Sequence, residues 1–170
     1  DPAHLGLEKG LTDIAFTTSK FESAIVQVRP AFSEPMFFLC AEKSDYKDYV
    51  RIGDLNPEHE IYVDWSYEFV HWHSQLFHGR QPKLALSLMN QLQFFLQKED
   101  HWAFVPASVA VGLLAEGGIQ KLSTSFVLPP RVINYLCLEK AMESRRVRRF
   151  LECLRQVLLE MEQVKFEIFI

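Results

Sequence analysis

Apolar and polar positions alternate along this chain in two rhythms, and the clearer of them closes it. Val147, Phe150, Leu151, Leu154, Leu158 and Met161 recur at steps of three and four, a stripe that predicts an amphipathic helix, and Ser144 is placed to cap its start. At the other end Pro2 to Lys9 reads as a helix stopped by Gly10, followed by Asp13-Ile14-Ala15-Phe16 as a short buried strand. Two further strands are expected at Glu22 to Val28 and at Pro35 to Ala41, the latter carrying Met36-Phe37-Phe38-Leu39-Cys40. The turn-rich stretch Glu42 to Pro57 then separates this opening from the strand Glu60 to Asp64 and marks a lobe boundary.

Strand and helix alternate from there. A helix is expected at Tyr67 to Phe77, a strand at Lys83 to Leu88, a helix at Asn90 to Lys98, a strand at His101 to Val105 and a helix at Pro106 to Leu114. Asn90 is suited to N-capping its helix and Pro106 to a first helical turn. Gly117-Gly118 introduces another strand, and Arg131 to Glu139 reads as a long one. This order is that of βα units, so the fold class expected is α/β. No internal repeat or low-complexity segment interrupts it.

Composition narrows the function. The chain has 170 residues, 48% of them apolar and 24% charged, with a formal net charge of -4. Seven Gly and eight Pro are too few for a collagenous or linker-like chain, and the apolar content is too high for a disordered one. With 18 Lys+Arg against 22 Asp+Glu, the chain is not built to grip a nucleic-acid backbone by itself, so DNA, if involved, is contacted elsewhere. Cys40, Cys137 and Cys153 form no close pair and sit in apolar stretches, the pattern of reduced core cysteines in a cytoplasmic protein. No apolar run approaches the roughly 18 residues of a membrane helix, and no export signal opens the chain. Asp1-Pro2-Ala3 enters a helix at once without an initiator Met, from which the front of a larger protein is expected to be missing.

Four segments, taken in order, resemble the effector-binding domain of LysR-type transcriptional regulators. Leu7 to Phe16 is similar to the family's "helix, Gly, x, x, Asp, apolar, Ala, apolar" signature, and Ser33-Glu34-Pro35-Met36-Phe37-Phe38-Leu39 to its strand at the first crossing between lobes. Gly53-Asp54-Leu55 ahead of Ile61 looks like the lead-in to the second lobe, and Asn90 through Val105 to Pro106-Ala107-Ser108-Val109-Ala110 looks like the "helix, strand, Pro, x, x, apolar, Ala" segment. Each motif is short and degenerate; the ordered set carries the likeness over most of the chain. One departure is Glu99-Asp100-His101-Trp102, where the family often has Gly-x-Gly, so this helix-to-strand turn must be built differently.

The resemblance implies a two-lobed fold like type 2 periplasmic binding proteins, crossed twice by the chain. Lobe one would hold residues 1–38 and 134–170 and lobe two residues 39–133, with the first strand and helix of lobe one missing and the winged helix-turn-helix absent. It also implies a small-molecule effector held in the inter-lobe cleft, a homodimer (a tetramer in the full-length regulator) and DNA contact only through the missing N-terminal domain; no membrane partner, no cofactor and no catalysis are expected. A transporter's solute-binding protein shares the architecture and is the alternative; a small enzyme of similar fold and a sensor without an effector are the remaining rivals.

Ligands of open α/β sheets settle at the carboxyl ends of strands, beside helix N-termini. That rule selects Thr17 and Thr18, Asp64, Trp65 and Ser66, Asn90 and Gln91, and Ser108 as effector candidates, with Trp65 and Trp102 as aromatic floors. Taken singly, the hydroxyl and amide residues are equally explained as caps and turn formers, and the tryptophans as core. His71, His73 and His78 are read as solvated, because His71 and His73 do not share the i, i+3 or i, i+4 spacing of a helical metal pair. No Gly-x-Ser-x-Gly, Gly-x-Gly-x-x-Gly or P-loop is present. Arg145, Arg146, Arg148 and Arg149 form the one basic patch; off the apolar stripe and with Glu152 able to pair with Arg148, they read as a solvated face.

Overall fold

The computed structural model describes residues 2–19, 23–98 and 100–170. The expected strand start at Glu22, the opening Asp1 and Glu99 of the unusual turn lie outside the described residues. Contacts divide the chain into two compact units, Asp1–Glu34 with Val132–Ile170, and Pro35–Arg131.

The first unit contains α1 (Pro2–Glu8), β1 (Ala15–Thr17) and β2 (Val26–Glu34). The second contains β3 (Met36–Ala41), β4 (Tyr49–Val50), β5 (Ile61–Tyr62), α2 (Tyr67–Leu76), β6 (Leu84–Ala85), α3 (Leu92–Leu96), β7 (Trp102–Pro106), α4 (Ala107–Ala115) and β8 (Ile119–Thr124). The chain then returns to the first unit as β9 (Arg131–Leu138), α5 (Arg145–Glu160) and β10 (Glu167–Ile168), with Arg131 itself still counted in the second.

In the first unit the sheet order is β1-β9-β2-β10, with β9 antiparallel to β1 and β10 antiparallel to β2. Strand side chains alternate between faces, and β9 uses both. Leu136 joins Leu7 and Val26 on the α1 side, whereas Tyr135 and Cys137 join Ala31 on the side where Leu151 of α5 packs. Ser144 caps α5 as its sequence suggests, its Oγ accepting the Val147 N–H at 3.2 Å. Of the apolar stripe, Val147 and Leu158 are buried, but Phe150 is 47% exposed and Met161 also reaches solvent. Arg148 and Glu152 do not close the expected ion pair; the α5 pair among the described residues is Arg146 to Asp13 at 3.3 Å.

The second unit is organised around β3, which lies between β7 and β8 and is antiparallel to both. Its near-continuous apolar run is what a central strand covered on both faces requires. Phe38, Leu39, Cys40, Trp102, Phe104 and Val105 form the centre of a single large core. β5 runs parallel to β6, and a parallel bridge from Glu60 to Trp102 joins β5 to β7. Gly117 and Gly118, at φ 79° and 78°, make the left-handed link from α4 to β8 that a side chain would strain.

Several elements are shorter than the pattern predicts, because β5 and β6 end where pairing ends. Asn90 does not cap a helix: it sits inside a 3-10 turn, Met89–Gln91, and α3 begins after Gln91 without a side-chain cap. The turn into β7 uses His101 where the family often has glycine, and it is built differently, as the sequence implied. Its backbone N–H reaches the Lys98 carbonyl at 3.0 Å, and its ring Nδ1–H donates to the Phe95 carbonyl at 2.9 Å, satisfying the end of α3. Among the described residues no helix is long and apolar enough to cross a membrane.

Candidate functional site

The second unit brings two parallel strand ends and two helix starts together. The bridge between Glu60 and Trp102 fixes the register of β5 against β7 where the two strands meet. The Trp65 indole secures this arrangement by donating from Nε1 to the Phe104 carbonyl at 2.7 Å. Trp65 itself is 4% exposed, so it is a fastening between strands more than an open floor. Ser66 is buried and caps α2, its Oγ accepting the Phe69 N–H at 3.1 Å and its carbonyl the Val70 N–H at 3.0 Å. Pro106 ends β7 and sits at the cap of α4; the Ala107 N–H is taken by the Pro35 carbonyl at 2.9 Å, and Ser108 in the first turn faces solvent.

Asp64 is exposed just ahead of this pair of helix starts. Arg131 approaches from the opposite end of the unit's sequence, with its guanidinium carbon 5.6 Å from the Trp65 ring centroid. No local pattern in the sequence points to Arg131, since its place beside Trp65 depends on the chain leaving the second unit at that spot. The start of α2, the Asp64 carboxylate and the Arg131 guanidinium are the polar features around Trp65.

The other candidates are distributed elsewhere. Trp102 is 0% exposed, at the heart of the core with its Nε1 donating to the Asn56 carbonyl at 3.1 Å, and it offers no surface to an effector. Asn90 and Gln91 are exposed on the 3-10 turn ahead of α3. Thr17 and Thr18 belong to the first unit at the end of β1, where Thr17 Oγ1 accepts the Ser19 N–H at 3.0 Å.

One histidine departs from the solvated reading. His73 is 5% exposed and its Nε2 lies 2.7 and 2.9 Å from the two carboxylate oxygens of Glu60, which is itself 1% exposed. Tyr62, Phe69 and Phe77 surround the imidazole. Burial raises the Glu60 carboxyl above its ordinary value, opposed by the hydrogen bond and charge of His73. His71 and His78 remain exposed. The pair was invisible in the sequence because Glu60 and His73 meet only when α2 folds back on β5. Burial also raises the thiols of Cys40 and Cys137, while Cys153 is exposed. Among the described residues no group of His, Cys, Asp and Glu side chains could hold a metal ion.

A two-lobed α/β fold of this kind defines a class, the domains of type 2 periplasmic-binding-protein architecture. Within that class, the model of the LysR substrate binding domain matches residues 3–159. The chain belongs to this family, the effector-sensing regulatory domains of LysR-type transcriptional regulators. Solved structures agree in fold. The regulatory domain of MetR from N. meningitidis is 12% identical and superposes with a TM-score of 0.74, covering 98% of this chain and 83% of that one. The regulatory domain of MexT, a transcriptional activator in Pseudomonas aeruginosa, is 18% identical with a TM-score of 0.70, over 90% of this chain and 77% of that one. HinK, a LysR family regulator from the same organism, is 15% identical with a TM-score of 0.75, over 92% of this chain and 57% of that one. A search of curated protein sequences gave no match.

Proposed function

We propose that this domain senses a small polar effector through the strand ends of its second unit, with Asp64, Ser108 and Arg131 making the contacts and Trp65 and Ser66 holding the helix starts in place. The observation that carries this reading is the Trp65 bond to the Phe104 carbonyl, which ties the segment between β5 and α2 to β7, the strand that leads into α4. Thr17, Thr18, Asn90 and Gln91 are secondary candidates, and Trp102 acts only as core. The two compact units are the two lobes, with their divisions after Glu34 and after Arg131.

In this reading the protein is cytoplasmic and bacterial, works as a homodimer, and reaches DNA through a separate winged helix-turn-helix segment. The acidic balance of the domain supports that division of labour, since 18 Lys+Arg against 22 Asp+Glu attract no phosphate backbone. It performs no catalysis: its signal is a shift between two arrangements, which requires the effector to bind one of them better. The family match favours a regulator over a transporter's solute-binding protein.

The test is a thermal-shift panel of amino acids and small organic acids. An effector raises the melting temperature, and the exposed substitutions Asp64→Asn and Ser108→Ala remove that rise while leaving the ligand-free melting temperature unchanged. A rise that survives both substitutions sinks the assignment of these residues.

A further inference from the structure

The second unit holds a cavity at the end opposite Asp64 and Ser108. Asn56 and His59 precede β5 and Asp100 precedes β7, whereas Asp64 follows β5 and Pro106 ends β7; the two strands run parallel where Glu60 meets Trp102. β3 is antiparallel to β7, so the chain that leaves β3 through Asp45 and Tyr46 arrives at this same end. With Tyr49 of β4 these segments enclose about 490 Å³, a volume within the range of small-molecule sites. All of the lining falls within residues 45–100, well inside the second unit.

Its walls are anchored in the core. Tyr46 sets its ring edge-on against Phe38, with the centroids 5.5 Å apart, and the Asn56 carbonyl accepts the Trp102 indole N–H at 3.1 Å. The Asp54 carboxylate is held as well, accepting the Arg51 N–H at 2.9 Å. Asp45, Asp54 and Asp100 line the space against Lys47, and among the described residues none of these four closes an ion pair. Their charge converges on the aromatic wall: the Tyr46 phenol is pushed up to about 12, first by burial, with the charges of Asp100 and Asp54 adding to it against a backbone hydrogen bond from Asn56. Among the described residues no group of His, Cys, Asp and Glu could hold a metal ion, so a bare divalent cation does not suit the arrangement.

Three carboxylates less one lysine leave two negative charges, which two ammonium groups neutralise. Tyr46 and Tyr49, the latter 58% exposed, supply aromatic surface that attracts both a hydrocarbon chain and its cationic ends. We infer that this cavity is a second ligand site, independent of the effector reading at Asp64, Ser108 and Arg131, for an aliphatic diamine. Its ammonium groups meet the aspartates and its methylene chain lies along the tyrosines. A bound diamine joins three segments that otherwise bring like charges together, so it stabilises the second unit against unfolding.

The experiment is amide NMR of the full 15N-labelled chain titrated with putrescine, with butylamine and magnesium chloride as controls. Putrescine is expected to shift amides of residues 45–50, 54–59 and 100–102 and to bind at least tenfold more tightly than butylamine, which lacks the second charge, or magnesium, which lacks the hydrocarbon body. Asp45→Asn with Asp100→Asn, both at exposed positions, should weaken putrescine at least tenfold, whereas Asp64→Asn leaves it unchanged and so separates this site from the effector reading. Tyr49→Ala, expected to weaken it three- to tenfold, serves should the paired aspartate substitutions unfold the chain. Shifts centred on Asp64 and Ser108, putrescine binding that survives these substitutions, or butylamine or magnesium binding as tightly as putrescine would each overturn the inference.

Discussion

His73→Leu tests the buried polar pair most directly. The imidazole is nearly enclosed, and its loss leaves Glu60, 1% exposed, without the partner that now contacts both carboxylate oxygens at 2.7 and 2.9 Å. Leucine fills a similar volume among Tyr62, Phe69 and Phe77, so the effect is electrostatic rather than a cavity. A carboxyl that cannot ionise in the folded state must take up a proton on folding. Above its ordinary value of 4.5 this costs about 1.4 kcal/mol for each pH unit. At pH 7.5, three units higher, the variant is therefore less stable by up to about 4 kcal/mol, within the range of about 3–5 kcal/mol for breaking a buried pair. At pH 5.5 the same reasoning leaves about 1.4 kcal/mol.

The direction follows from the raised carboxyl. Its contribution to stability is fully present below its ordinary value and is lost as the pH rises through the higher folded value. Thermal melts by circular dichroism read the difference. For a chain of this length about 2–4 °C accompanies each kcal/mol, so His73→Leu should melt on the order of 10 °C below the wild type at pH 7.5 and much closer to it at pH 5.5. Glu60→Gln added to His73→Leu should recover most of the loss at pH 7.5. A His73→Leu protein melting within about 2 °C of the wild type at pH 7.5, or showing the same deficit at both pH values, would refute the reasoning.

Two further outcomes follow from single contacts. Ser144→Ala removes the acceptor of the Val147 N–H at the start of α5 and should cost about 0.5–2 kcal/mol in a urea titration, with Ser144→Asp close to the wild type. In the folded protein one thiol, Cys153, should react rapidly with a disulfide reagent while Cys40 and Cys137 wait for unfolding, because burial both shields them and raises their thiols; three fast thiols would contradict the packing.

Periodicity and turn chemistry already determine most of the elements. Spacings of three and four mark α5, alternation and glycine mark the run from α4 through Gly117-Gly118 to β8, and the ordered motifs from Leu7 to Ala110 carry the family resemblance that the match over residues 3–159 bears out. These signals are local: a helix stripe, a cap or a positive-φ glycine is written within a few neighbouring residues. Asn90 shows where that stops, since a good cap residue yields to a 3-10 turn once α3 has to deliver Leu92 and Leu96 to the core.

Which side chains meet was decided by tertiary structure. His73 looked solvated because a helical wheel cannot know that Glu60, thirteen residues earlier, is buried beneath it. Trp65 and Trp102 are both aromatics at strand ends on paper, yet register makes one a clasp to the Phe104 carbonyl and sinks the other in the core. Arg131 beside Trp65, and Arg29 in one groove with Arg148 and Arg155, are assembled from segments far apart in the chain. Their proximity depends on sheet order and on where the chain leaves one unit for the other, and neither is encoded in the spacing of any short stretch.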